Sequence, residues 1–146
     1  MENIEIRYMS LTGNTEAFLK LLEKESDVPI NKVKINEDSI PFQEEKPFFA
    51  MVPTYLSGGD GTGDNVIEEF TYPLNEHIAF GTNSSLLLGI IGSGNLNFNE
   101  QFALTGIRYS EEFNSPLIFT YELRGNERDA KELSKIMKEV MLEYGK

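Results

Sequence analysis

Two stretches of this chain carry no polar side chain at all: Phe48-Phe49-Ala50-Met51-Val52 and Leu86-Leu87-Leu88-Gly89-Ile90-Ile91. Both are far shorter than the ~18 apolar residues of a membrane span, and both have the length of a strand. A strand that faces water on one side alternates apolar with polar residues. One without alternation is covered on both faces, which is the condition of a parallel sheet flanked by helices. The two runs therefore place the chain among α/β folds.

The remaining pattern extends this reading. Ile4, Ile6 and Tyr8 mark a first strand ending near Met9. Ala17, Phe18, Leu21 and Leu22 give a helical face with Pro29 as its stop, and Val33 with Ile35 suggests a short second strand. The spacing of Val66, Ile67 and Phe70 predicts a short helix ending before Pro73, whereas residues 75–83 show no clear pattern. A helix is expected over residues 100–113, with Phe102, Gly106, Tyr109 and Phe113 on one side, then a strand over 117–123 after Pro116. Ala130, Leu133, Ile136, Met137, Val140, Met141 and Tyr144 recur at three-to-four spacing and mark the clearest helix, whose methionines read as core filler. Five strands alternating with helices predict a parallel sheet with helices on both faces. One feature resists: the first strand should be buried, yet it carries Glu5 and Arg7. These two either lie near an exposed start or pair with each other.

The length, 146 residues, suits one domain over 1–146. The net charge of −11 provides no excess of Lys and Arg for phosphate backbones or anionic lipid, so neither nucleic acid nor membrane is an expected partner. The acidity is concentrated. Residues 37–76 hold nine acids and one base, Lys46, a stretch read as solvated surface or as a face that steers toward a basic partner. Glu44-Glu45 and Glu68-Glu69 read as solvated charge. Cysteine is absent and His77 is the single histidine, which excludes thiolate chemistry, iron–sulfur clusters and multi-histidine metal sites. With no leader-like or membrane-spanning run, a soluble cytoplasmic protein is expected, and any redox chemistry must come from a cofactor.

Three loops follow expected strands and should meet at the carboxyl edge of the sheet, where open α/β folds bind ligands. Ser10-Leu11-Thr12-Gly13-Asn14-Thr15 lies between a strand and a helix. Its hydroxyls, its glycine and the N–H groups of the helix start form a nest for a phosphate monoester without Lys or Arg. It lacks the Gly-Lys-Ser/Thr ending of a Walker loop; the plain alternative is a Thr/Asn helix cap. The second loop, from Pro53-Thr54-Tyr55-Leu56-Ser57-Gly58-Gly59 to Gly63, holds four glycines and an aromatic ring for stacking. Read alone, it is also compatible with a mobile surface loop. The third, Gly92-Ser93-Gly94-Asn95-Leu96-Asn97-Phe98-Asn99, offers backbone groups and Asn amides to a ring edge, or simply turns. One ligand that uses all three is flavin mononucleotide (FMN). A plain nucleotide fits less well, because no acid ends the second strand to take a ribose hydroxyl; Asn36-Glu37-Asp38 is nearest.

The first loop resembles the phosphate loop of flavodoxins. The wider set is more specific: Thr12-Gly13-Asn14-Thr15, Pro53-Thr54-Tyr55 with Gly58-Gly59, Gly92-Ser93-Gly94-Asn95-Leu96-Asn97-Phe98, and residues 119–125 ending in Glu122-Leu123-Arg124-Gly125. In this order, over nearly the whole chain, it resembles the NrdI family of flavodoxin-like proteins associated with class Ib ribonucleotide reductase. The resemblance implies a flavodoxin-like three-layer sandwich with a five-stranded parallel sheet in the order 2-1-3-4-5. It implies noncovalent FMN, a flavin-reducing electron donor, and the reductase's small subunit as partner, whose dimanganese–tyrosyl radical site receives the oxidant formed from reduced flavin and dioxygen. By matching motif, Ser10, Leu11, Thr12, Gly13, Asn14 and Thr15 would hold the phosphate. Thr54, Tyr55, Gly58 and Gly59 would border the isoalloxazine, and Ser93, Gly94, Asn95, Asn97 and Phe98 its opposite edge. The chain departs from the family by carrying Leu96 where an Arg is usual.

Two other readings stand beside this one. A general electron-transfer flavodoxin would use the same pocket, and a relative that had lost its cofactor would purify colourless and not take up FMN. Classical acid/base or nucleophilic catalysis finds no constellation: His77 follows Glu76 with no nucleophile placed beside them.

Overall fold

The computed structural model describes residues 3–10, 13–54, 56–57, 67–68, 72–94 and 104–145. Five strands form one parallel sheet: β1 (Ile4–Tyr8), β2 (Ile30–Lys34), β3 (Phe48–Pro53), β6 (Leu87–Gly94) and β7 (Leu117–Glu122), in the spatial order β2-β1-β3-β6-β7. This is the expected 2-1-3-4-5 order. Between β3 and β6, two short strands, β4 (Leu56–Ser57) and β5 (Ile67–Glu68), pair antiparallel as a separate ribbon.

The unbroken apolar runs have the cause inferred for them. On one face, α1 (Asn14–Glu25) and α5 (Glu127–Tyr144) cover Ile4, Ile6, Phe49, Met51 and Ile91 with Phe18, Leu19, Leu22, Leu133 and Met137. On the other, Phe48, Ala50, Val52 and Ile90 pack with Leu74 and Ile78 of α2 (Tyr72–Ala79) and Tyr109 of α4 (Leu104–Phe113). Successive residues of β3 thus point into two separate cores, and none can be polar. Met137 is fully buried, as expected of filler. A capping box, in which Asn126 and Asp129 each accept the other's backbone N–H, starts α5.

Two local expectations fail. Ile67, read as helical, lies in the ribbon and pairs with Ser57; Val66 and Phe70 lie outside the described residues. The helix instead starts at Tyr72 and runs through Pro73 to Ala79, followed by the single-turn α3 (Asn83–Leu86). Proline is compatible with a first helical turn, where its missing N–H has no intrahelical partner to lose. The expected 100–113 helix begins at Leu104 among the described residues.

The alternation of strand and helix also lapses once. Between β2 and β3 the chain forms no helix; residues 35–47 cross β1 as an irregular strap whose one turn, at Asn36–Ser39, is closed by Ser39 N–H donating to Asn36 O. The strap explains Glu5 and Arg7. Both are 5% exposed and lie on the face of β1 that the strap crosses. Arg7 donates from Nε to Glu44 Oε2 (2.7 Å) and from Nη2 to Glu44 Oε1 (2.9 Å) and Glu5 Oε1 (3.0 Å). His77 Nε2 meets Glu44 Oε2 at 2.8 Å, and Asn83 Oδ1 accepts the Glu44 backbone N–H. Glu5 and Arg7 do pair, but Glu44 is the centre. Reading Glu44 as solvated charge is wrong: it is 4% exposed, while its neighbour Glu45 faces solvent. Burial would raise the Glu44 carboxyl, but the hydrogen bonds from His77 and Arg7 and the Arg7 charge hold it below its ordinary value.

Strand β2 is one margin of the sheet. Lys32 and Lys34 on it are tied back to α1 through Glu23 and Glu16.

Candidate functional site

The chain leaves β1, β3 and β6 at one edge. Met9 N–H donates to Met51 O (3.4 Å), and Thr54 N–H donates to Ser93 O (2.9 Å), so the segments after these three strands start side by side. Leu123 N–H donates to Gly94 O (2.9 Å) and brings the end of β7 to the same edge. The order of connections reverses between β1 and β3: β1 leads outward to β2, and β3 leads the other way to β6. Such a reversal opens a crevice at the carboxyl ends of the strands.

At the β1 end, Gly13 has φ +87° and precedes the first residue of α1. A side chain here would be strained, but it would meet nothing within 4 Å, so open space lies over this residue. Glycine supplies no cap, and the first-turn N–H groups of α1 point out of the helix uncapped by the preceding residue. The helix dipole adds partial positive charge at the same place. Ser10 Oγ accepts the Gly13 N–H at 3.2 Å, Thr15 is 1% exposed, and Asn14 is half-buried. Open space, a left-handed glycine and an uncapped helix start together fit a phosphate monoester. Leu11 and Thr12 lie outside the described residues.

A carboxylate that the sequence reading passed over stands beside this cradle. Glu16, in the first turn of α1, pairs through Oε2 with Lys34 Nζ at 2.9 Å. Its Oε1 is buried with no donor in hydrogen-bond geometry. Burial would raise this carboxyl, but the Ser10 hydroxyl and the Lys34 ammonium hold it below its usual value. The pair escaped notice because its two members are 18 positions apart, on a helix and a neighbouring strand.

At the β3 end, Thr54 is 6% exposed, and its Oγ1 accepts the Thr105 N–H at 3.1 Å. The hydroxyl oxygen thus accepts from the start of α4, and a hydroxyl that accepts one bond can still donate its own hydrogen. Gly106 lies against β6, where an added Cβ would sit 3.0 Å from Gly92 Cα. Together these contacts fix the start of α4 against the ends of β3 and β6. Ser93 is buried and Gly94 half-buried at the edge itself. Tyr55, Gly58, Gly59, Asn95, Leu96, Asn97 and Phe98 lie outside the described residues. The structure thus brings Ser10, Gly13, Asn14, Thr15, Thr54, Ser93 and Gly94 to one edge and keeps the lone His77 in the strap network.

Among the described residues, no helix is long and apolar enough to cross a membrane. A family model described as NrdI flavodoxin-like matches residues 6–135. An NrdI-like protein of Streptococcus pneumoniae serotype 4 is 36% identical, with 94% of each chain covered. One of Streptococcus pyogenes serotype M6 is 39% identical over 95% of this chain and 90% of its own. The protein NrdI of Mesoplasma florum is 32% identical over 92% of this chain and 83% of its own. Among solved structures, a short-chain flavodoxin associated with a non-canonical PDU bacterial microcompartment superposes with a TM-score of 0.68 at 17% identity, covering 98% of this chain and 99% of that one. The two-electron reduced flavodoxin of Megasphaera elsdenii does so with 0.56 at 19% identity, covering 93% and 98%.

Proposed function

This chain belongs to the NrdI flavodoxin-like family, and from that premise we propose that it is a cytoplasmic FMN protein that activates a class Ib ribonucleotide reductase. The observation that supports the FMN reading is the open space over the left-handed Gly13, backed by an uncapped helix start at the point where strand order reverses. In this reading the chain is one domain over 1–146.

Backbone N–H groups of Gly13, Asn14 and Thr15, with Ser10, Leu11 and Thr12 beside them, hold the phosphate. Tyr55, Gly58 and Gly59 border one edge of the ring, and Ser93, Gly94, Asn95, Asn97 and Phe98 the other. Thr54 borders the ring with Tyr55, Gly58 and Gly59, and its Oγ1 also accepts the Thr105 N–H at the start of α4. FMN held by these residues would supply the redox chemistry, a reduced ring able to give electrons to dioxygen, and the oxidant so formed would serve the dimanganese–tyrosyl radical site of the small subunit. The chain itself sets access, charge and docking.

The test is anaerobic reduction of FMN-loaded protein, mixing with the manganese-loaded small subunit, and readmission of air. The expected result is a tyrosyl radical that requires both the reduced protein and oxygen; a radical yield indifferent to this protein sinks the proposal. The likeness to flavodoxins in solved structures favours a second reading, a general electron carrier. Rapid reduction of unrelated one-electron acceptors, with no effect on the small subunit, decides for it.

The Leu96 departure has a measurable consequence. An Arg near the ring would favour anionic reduced flavin, and Leu96 provides no such charge. Leu96→Arg is expected to raise the midpoint of the fully reduced couple by about 60 mV, which equals roughly a tenfold change for a one-electron step. Potentiometric titration of both proteins checks it.

A further inference from the structure

Two opposite charges stand at the start of α1: Glu16 in its first turn is paired with Lys34 of β2 at 2.9 Å. Glu16 occupies the third position of α1, so its carboxylate stands in the positive end of the helix dipole that an incoming phosphate would use. One of its oxygens is buried without a donor. Ser10 Oγ, which accepts the Gly13 N–H at 3.2 Å, contributes with Lys34 to holding the Glu16 carboxyl below its ordinary value, so that it stays ionised. A phosphate entering here meets a fixed negative charge.

We propose that Glu16 is a specificity-determining residue that opposes the phosphate and so limits the margin by which this protein prefers FMN to riboflavin. The inference rests on the flavin reading above and adds to it a residue that the loop motif does not include. Its physical content is simple. Like charges at the same helix start repel, more strongly where the site is partly buried, and the repulsion acts only on the ligand that carries the phosphate. Riboflavin has the same ring and ribityl chain and no anion. Glu16 is therefore silent toward riboflavin and adverse toward FMN, and Lys34 moderates it by pairing with Oε2.

The experiment titrates cofactor-free protein with FMN and, separately, with riboflavin, following the quenching of flavin fluorescence. Wild type, Glu16→Gln and Lys34→Gln are compared, with thermal melting of each as a check on folding. Glu16→Gln is expected to tighten FMN about fivefold and leave riboflavin unchanged. Lys34→Gln, which leaves the carboxylate uncompensated, is expected to weaken FMN and not riboflavin. FMN affinity unchanged or weakened in Glu16→Gln overturns the proposal. Equal shifts for both flavins also overturn it, because they assign Glu16 to the fold. Should Glu16→Gln not fold, the Lys34→Gln pair of titrations decides in the same way. Wild-type protein that binds neither flavin overturns the cofactor reading itself, an outcome distinct from FMN binding that ignores Glu16.

Discussion

Replacing Glu44 with alanine is expected to lower the free energy of unfolding by about 3–5 kcal/mol, the range for removing one partner of a buried ion pair. The argument rests on what is left behind. Arg7, 5% exposed, would keep Glu5 as its carboxylate partner among the described residues and lose both bonds to Glu44. His77, 1% exposed, would lose the acceptor at Nε2 while its Nδ1 already lacks a partner. The strap would lose its buried ion pair to β1 and keep only Ile35 and the Asn83 hydrogen bonds as buried contacts among the described residues. Chemical denaturation of the two proteins measures the difference; a loss under 1 kcal/mol would mean that the strap is held elsewhere. The double variant Arg7→Met, Glu44→Leu should cost less than the sum of its single changes, because it removes the charges together.

The same network fixes the sign of an acid effect. The folded-state Glu44 carboxyl lies below its ordinary value of 4.5, so the folded chain favours the ionised form. That contribution is fully present above 4.5 and is lost as the pH falls through the folded value. Wild-type stability should therefore decline on acidification below that point. Glu44→Gln should decline less steeply, as denaturation midpoints across the acid range would show.

The second large effect is expected at Gly125. Its φ is +65°, and a Cβ there would lie 2.5 Å from Phe18 Cδ1 and 2.7 Å from Cε1. Phe18 is fully buried and stacked on Tyr121 with ring centroids 4.0 Å apart, so it cannot retreat without breaking the α1 side of the core. Left-handed strain of about 1–2 kcal/mol and overpacking of about 1–3 kcal/mol together predict a loss of about 3 kcal/mol for Gly125→Ala. Gly13→Ala is the matched control. It has the same kind of positive φ but open space around the new methyl, so only the strain of about 1–2 kcal/mol should remain. Equal losses in both variants would refute the steric account.

Gly125 also shows which features a sequence reveals. As part of Glu122-Leu123-Arg124-Gly125 it was visible as a motif, and the structure adds why glycine stands there. The two buried strands were legible because their cause is local: every residue of Phe48–Pro53 is enclosed, so every residue reports it. Glu5 and Arg7 were visible as an anomaly without an explanation. Their partner lies 37 positions beyond Arg7, on a strap that has no periodicity to announce it. Glu44 and Glu45 look alike as letters, and only the path of the chain puts one inside. Pro73 misled because it is tolerated both just after a helix and in its first turn. At the candidate site, the first loop was legible from its position after β1, where Ser10, Gly13, Asn14 and Thr15 lie; most of the other two loops lies outside the described residues. The turn of the Thr54 hydroxyl toward Thr105 and the Glu16–Lys34 pair were not, because each joins residues distant in sequence.

The lysines along β2 have one more consequence. An outermost strand offers unpaired backbone groups to any passing strand, and cationic side chains are a common defence against such zippering. Here Lys32 and Lys34 are each already matched by a glutamate of α1. A newcomer laying itself along this selvedge would have to part them, so fibrous self-association is discouraged at the flank where it would otherwise begin.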